Sequence, residues 1–294
     1  MEVDVGAMIA RVWPGRPAAV EVLGGGITNH NLKVTLDEGI FVLRIVGRGT
    51  DLLGIDRRVE YEASVAAAAI GIGPEVVAFV EPEGYLVTRF IEGQIVPWER
   101  MREAASIERI AQSLRAVHDG PLLAGRFNSF RVVEDYKATA VAHGARVSTR
   151  YAWASGIARR IEPARGAYSE KPCHNDLLNA NFIDDGIRIR IVDWEYAGMG
   201  DPFFDLANFS INHGLDPAER RGLLEAYFGS VRSEDERALE LMRFMSDFRE
   251  AMWGVVQAVV SEIEFDFAGY AAEHFERLQS IAAEPAFQAA LGAT

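Results

Sequence analysis

The spacing of apolar residues changes period several times along the chain, and each change marks an element. Residues 1–19 read as a short helix followed by a Pro-Gly loop. From Val20 the apolar positions alternate, which predicts a strand up to Leu23 and further strands over 32–36 and 40–46. Arg57 to Ile70 follows a helical period with an alanine-rich face and stops at Gly71-Ile72-Gly73-Pro74. Two more strands, 76–80 and 85–91, flank Glu81-Pro82-Glu83-Gly84, and Glu92-Gly93 reads as a link. Beyond Trp98 the pattern is mainly helical. Ile107, Ile110, Leu114 and Val117 share one face of a helix over 106–118, with His118 as a cap in its last turn. Helices follow over about 131–145 and 149–160. Ser233-Glu234-Asp235-Glu236 has the form of a capping box ahead of the stripe Leu239, Met242, Met245, Phe248 and Met252. The pattern predicts an α+β chain. Residues 1–93 would form a small antiparallel-sheet lobe with one main helix, and 94–294 a larger, mostly helical lobe.

Composition narrows this picture. With 294 residues, 49% of them hydrophobic, the chain can bury a core in one large domain or two lobes. Its single cysteine, Cys173, leaves no disulfide framework and suits a reducing, cytoplasmic setting. Cys173 itself is either a nucleophile beside His174 or a small buried residue. No apolar run is long enough to span a bilayer, and the acidic start is unlike a secretory signal. A formal net charge of −13 argues against nucleic acid and anionic membrane surfaces as partners and agrees with a small cationic substrate.

The densest chemistry lies between Lys171 and Asp205. His174, Asp176 and Asn181 stand in the arrangement H-x-D-x-x-x-x-N. Asp185-Gly186 then turns the chain into the alternating strand Ile187, Arg188, Ile189, Arg190, Ile191, read with its isoleucines inward and its arginines in water, and Asp193 follows. Folding back at Gly186 brings Asn181 and Asp193 to one open end, with Asp176 in the loop before it. Phosphoryl transfer from ATP needs one carboxylate to take or orient a hydroxyl proton, plus an amide oxygen and a carboxylate for magnesium. The competing reading is that these are ordinary turn residues. Gly24, Gly25, Gly26, Thr28 and Asn29 form either a phosphate-covering loop or a glycine-rich hairpin. Arg44 interrupts an apolar strand and needs a partner, Glu60 or Glu62. Backbone groups around 88–91 are placed to hold an adenine ring. Asp205 reads as a helix N-cap or as an acceptor for backbone amides of the His174 loop. Tyr196, Trp253 and Tyr270 taken alone read as core aromatics.

These residues together resemble the choline/ethanolamine kinase family, within the larger aminoglycoside-phosphotransferase-like group. The similarity extends from Gly24 to about Tyr270 and is most specific at His174-Asn175-Asp176 to Asn181 and at Ile191-Val192-Asp193-Trp194-Glu195-Tyr196. The resemblance implies a two-lobed protein-kinase-like fold. It implies Asp176 as catalytic base with His174 in the catalytic motif, Asn181 and Asp193 as magnesium ligands, and Gly24 to Asn29 over the phosphates. Arg44 would stand in place of a lysine, paired with Glu60, and Asp205 would hold the catalytic loop. Tyr196, Trp253 and Tyr270 match an aromatic box for an ammonium group, while Glu250 stands where eukaryotic choline kinases carry another tryptophan. The expected activity is ATP- and magnesium-dependent phosphorylation of a choline-like amino alcohol. The alternatives are ethanolamine, thiamine or an aminoglycoside as acceptor, or a nucleotide-binding module without catalysis.

Overall fold

The computed structural model describes residues 5–24, 29–47, 49–146 and 148–292. Strands β1 (Ala19–Leu23), β2 (His30–Leu36), β3 (Gly39–Ile45), β4 (Val76–Val80) and β5 (Tyr85–Arg89) form one antiparallel sheet in the order β1-β2-β3-β5-β4. Alternation along β3 sends Phe41, Leu43 and Ile45 into a core shared with Leu32, Val34 and Leu36 of β2. Met8 and Ile9 of helix α1 (Val5–Val12), together with Trp13, close that core from below the sheet. The same alternation leaves Val42 and Arg44 on the opposite face, which borders a cleft.

Helix α2 (Arg57–Ala69) starts at Asp56, whose carboxylate accepts from the amides of Arg58 and Val59. Its buried Ala63 and Ala67 belong to the larger of two hydrophobic cores, while its Tyr61 stacks on Phe79 of β4, so this helix joins that core to the sheet. Most of the remaining chain surrounds that core: α3 (Ala104–His118), α4 (Ser129–Ala142), α5 (Thr149–Arg165), α6 (Pro202–Asn212), α7 (Pro217–Phe228), α8 (Ser233–Val260), α9 (Phe267–Ala283) and α10 (Pro285–Gly292). Helix α8 runs through its middle, and every residue from 238 to 254 is buried. Polar side chains on that stretch must therefore find partners inside the protein. No helix among the described residues is long and apolar enough to cross a membrane. The architecture is the two-lobed, protein-kinase-like one.

Short strands fill the space between the lobes. β6 (Gln94–Ile95), β8 (Phe182–Asp184) and β9 (Ile189–Ile191) form a three-stranded sheet, while β7 (Lys171–Cys173) pairs with β10 (Gly198–Gly200). The β8–β9 connection differs from the sequence expectation. The Asp185 carboxylate accepts from the amides of Ile187 and Arg188, so these residues belong to a loop and the strand begins at Ile189. Ile187 is 83% exposed, and Arg190 lies against the carbonyls of Ile72 and Gly73 rather than in water.

Three other expectations change in the same way. His118 does not cap α3: it is buried between the Tyr227 hydroxyl (2.7 Å) and Asp205 (3.0 Å). The N-cap of α6 is Asp201, leaving Asp205 inside the helix. Helix α8 is capped from Arg232, whose amide donates to Asp235, so Ser233 is its first residue rather than its cap.

Candidate active site

The loop between β7 and β8 is built on Asp205 of α6. One carboxylate oxygen accepts from the His174 amide at 2.8 Å and the other from the Asn175 amide at 2.7 Å. Asn175 adopts φ 67°, a left-handed conformation that asparagine tolerates better than most residues, and its side chain donates to the Tyr196 carbonyl at 3.0 Å. The next amide but one, that of Leu177, donates to Asn208 at 2.6 Å. Asp176 is thereby held from both sides.

His174 serves the same purpose. Its Nε2–H donates to the Val192 carbonyl (2.9 Å), its Nδ1 accepts from the Asp176 amide (3.2 Å), and its ring packs edge-on against Trp194. Burial pushes its pKa down, consistent with a neutral ring. The ring is fully buried and lines neither of the two cavities described below, and its bonds hold the loop that carries Asp176.

Asn181 donates through Nδ2 to the Asp176 carbonyl at 2.9 Å, and its own carbonyl accepts from the Val192 amide at 3.0 Å. That backbone bond carries Asp193 to the open end of the β8–β9 hairpin. Asp193 also has a left-handed backbone, φ 70°. Asp193 accepts from Arg44 Nη1 at 2.6 Å, and the same nitrogen is 2.7 Å from Glu60. Of the two partners considered for Arg44, Glu60 is the one found, while Glu62 bonds Arg58. Burial opposes the charge on Arg44, but Asp193, Glu60 and Glu195 outweigh it and raise its pKa. Arg57 extends the network to Glu60 (2.5 Å) and Glu195 (3.2 Å), and Asn29 donates to Glu195 at 2.8 Å.

Two cavities meet at Asp193. The first, about 280 Å³, lies between the sheet of β1–β5 and the β6–β8–β9 sheet. Apolar side chains line it from both sides, Val42 and Leu86 from one and Ile95, Ile183 and Val192 from the other, with Gly24, Arg44 and residues 88–91 in its wall. A flat aromatic base beside a guanidinium suits this lining. Gly25, Gly26 and Thr28 lie outside the described residues. Asn29 lines the other cavity instead, and Glu60 lines neither, acting through Arg44.

The second cavity, about 170 Å³, gathers Asp176, Asn181, Asp193, Glu195, Tyr196, Glu250, Trp253 and Tyr270. Trp253 Nε1 donates to the Tyr196 hydroxyl at 3.1 Å, and the Tyr270 hydroxyl donates to Glu250 Oε2 at 2.9 Å. Arg249, which the sequence reading passed over, stands among them. Its Nη1 is 2.5 Å from Glu250 Oε1 and 3.2 Å from Asp176 Oδ1, and its guanidinium carbon lies 4.2 Å from the centre of the Tyr196 ring. An arginine and a glutamate inside the apolar run Phe248–Met252 were the signal for it, because a buried charge demands a partner.

Charge in this cavity is finely balanced. Burial raises the Asp176 pKa to about 8; Arg249 works against that, while Glu250, Asp193 and Glu195 reinforce it. Burial also raises Glu195, again helped by Asp193. Glu250 goes the other way, because Arg249 outweighs the cost of burying it. Carboxylates that raise one another's pKa form a site short of positive charge. Asp193 and the Asn181 amide oxygen are the hard oxygen donors that magnesium prefers, so the donor set fits that ion.

Known proteins resemble this chain in sequence and in fold. Residues 19–242 match the phosphotransferase enzyme family. The fold is similar to that of a choline/ethanolamine kinase family protein from Mesorhizobium loti, with 30% identity and a TM-score of 0.84 over 98% of this chain and 96% of that one. It is also similar to choline kinase LicA from Streptococcus pneumoniae, with 22% identity and a TM-score of 0.79 over 95% and 97% of the two chains. Among curated relatives, ethanolamine kinase 1 of Mus musculus is 26% identical over 313 residues, covering 90% of this chain and 84% of its own length.

Proposed function

The chain belongs to the phosphotransferase enzyme family and, within it, to the choline/ethanolamine kinases, and from that premise we propose that it transfers the γ-phosphoryl group of ATP to the hydroxyl of a small cationic amino alcohol. One observation carries this reading: Asp176 shares a single cavity with Asn181 and Asp193 and with Tyr196, Glu250, Trp253 and Tyr270. A hydroxyl held there by an ammonium group on the same small molecule lies beside Asp176, whose carboxylate can take or orient its proton. At about 170 Å³ this cavity is smaller than the first, about 280 Å³. It favours a small amino alcohol over thiamine or an aminoglycoside.

In this proposal Asn181 and Asp193 hold magnesium, which when bound neutralises charge on the transferring phosphates. Arg44, fixed by Glu60, sits between the nucleotide cleft and Asp193 and offers further positive charge to the phosphates. The acceptor's ammonium favours ionised Asp176, adding to Arg249 against the burial and the neighbouring carboxylates that raise its pKa. Catalysis is then chiefly positioning and charge neutralisation.

The test is ATP consumption with magnesium against choline, ethanolamine, thiamine and an aminoglycoside. Turnover is expected with one or both of the first two. Asp176→Asn is expected to lower kcat by about 10³-fold while changing nucleotide affinity little. Equal turnover in that variant, or silence across the panel, would rule the proposal out.

A further inference from the structure

We propose that Arg249 and Glu250 select the charge type of the acceptor: the cavity takes a primary ammonium, whose N–H groups meet carboxylate oxygens, and discriminates against a quaternary one. This rests on the amino-alcohol reading above and makes it narrower.

A quaternary ammonium carries no N–H and is recognised by the negative faces of aromatic rings. Tyr196 supplies such a face, but a cation already stands over it, the Arg249 guanidinium at 4.2 Å. Arg249 is 1% exposed, and its Nη1 is shared between Glu250 and Asp176. Among the described residues its buried Nε and Nη2 have no hydrogen-bond partner, as expected of a planar group stacked on a ring and tied through one nitrogen. Displacing it to expose the Tyr196 face would break both ion pairs and leave Glu250 buried and uncompensated. Trp253 and Tyr270 remain, set edge to face at 69°, with the Trp253 N–H donating to Tyr196 and the Tyr270 hydroxyl donating to Glu250. Two rings beside a fixed guanidinium make a poor enclosure for a trimethylammonium group, since the like charges repel at short range.

A primary ammonium has the opposite needs. Its three N–H donors require acceptors once water is removed. Glu250 accepts one bond on each oxygen from within the chain. An ionised carboxylate offers about four lone-pair sites, so Glu250 retains capacity, and Asp176 and Glu195 line the same cavity. Four carboxylates, Asp176, Asp193, Glu195 and Glu250, line the cavity with one guanidinium, Arg249, and a hydrogen-bonding cation offsets that excess of acceptors.

The experiment is calorimetric binding and kcat/KM for ethanolamine, its N-methyl and N,N-dimethyl derivatives, and choline. The wild-type protein is expected to lose affinity at each methylation, by at least about tenfold over the series. R249M/E250Q, which removes the ion pair as a unit, is expected to flatten or reverse that order. R249K, which keeps the charge without the planar stack, should fall between. Choline bound as tightly as ethanolamine by the wild type overturns the inference without any variant, and so does an unchanged ratio in R249M/E250Q. The expected order in binding with no turnover on any of the four alcohols sustains the selection and removes the kinase proposal. No binding of any amine removes both.

Discussion

The two oxygens of Asp205 take the amides of His174 and Asn175, and the His118 ring donates to the same carboxylate, so a single buried side chain sets the height and tilt of the loop bearing Asp176. Asp205→Asn would point an amide N–H₂ at donors that need an acceptor. It is expected to lower kcat by about 10²-fold, since small misplacements of a catalytic group cost that much. It should also destabilise the fold by about 1–3 kcal/mol. Steady-state kinetics and urea unfolding check both, with nucleotide affinity as the control expected to stay within a few-fold. At this scale Asp176, Asn181 and Asp193 were legible in the sequence, because their spacing across a hairpin leaves few ways to converge. Arg249 was not. It lies between Phe248 and Glu250, and its further partners Asp176 and Tyr196 come from distant segments. For His174, adjacency to Asp176 in sequence does not reveal which way the ring points, and the fold turns it inward against Trp194.

Among the elements, the β8–β9 hairpin and the strand β6 beside it form one wall of the first cavity, and Gly93 packs closely against β8. A Cβ at Gly93 would stand 2.6 Å from the Asp184 carbonyl oxygen and 2.8 Å from the Ile183 side chain. The first of these is backbone, so β8 itself would have to shift. Gly93→Ala is therefore expected to cost about 1–3 kcal/mol of stability. It should raise the KM for ATP several-fold while leaving the KM for the acceptor nearly unchanged, because Gly93 lines the first cavity and not the second. Equal effects on both constants would contradict that division. The long, strongly periodic elements, β2, β3, α2, α3 and α8, were readable from the chain. Strands of two or three residues such as β6, β7 and β10 were not, because they exist only through backbone pairing with distant partners.

For the whole molecule, stability should depend on pH through His213 at the end of α6. Its ring packs against Phe209, Trp98 and Phe182, its Nδ1 donates to the Phe209 carbonyl, and its Nε2 is buried without a hydrogen-bond partner among the described residues. Burial lowers its pKa to about 4, the backbone bond opposing only in part. The folded pKa is below the unfolded one, so the unfolded chain binds the proton first on acidification. Stability is then complete above pH ~6.5 and is lost as pH falls towards 4, by about 2 kcal/mol at pH 5. Urea midpoints at pH 7.5 and pH 5 should show this loss in the wild type and a smaller one in His213→Gln; equal losses would exclude His213 as the cause. Across the molecule, the sequence by itself determined what local period and fixed spacing can encode: a sheet-rich first part, a helical second part, and a set of oxygen donors suited to phosphoryl transfer. Only the tertiary structure decided that Arg44 bridges Glu60 to Asp193, that His118 backs Asp205 under the His174 loop, and that Arg249 stands over Tyr196 in the second cavity. The reason is physical. A buried charge must be compensated, but which group compensates it depends on which helices and strands meet, and that choice is made by the packing of residues far apart in the chain.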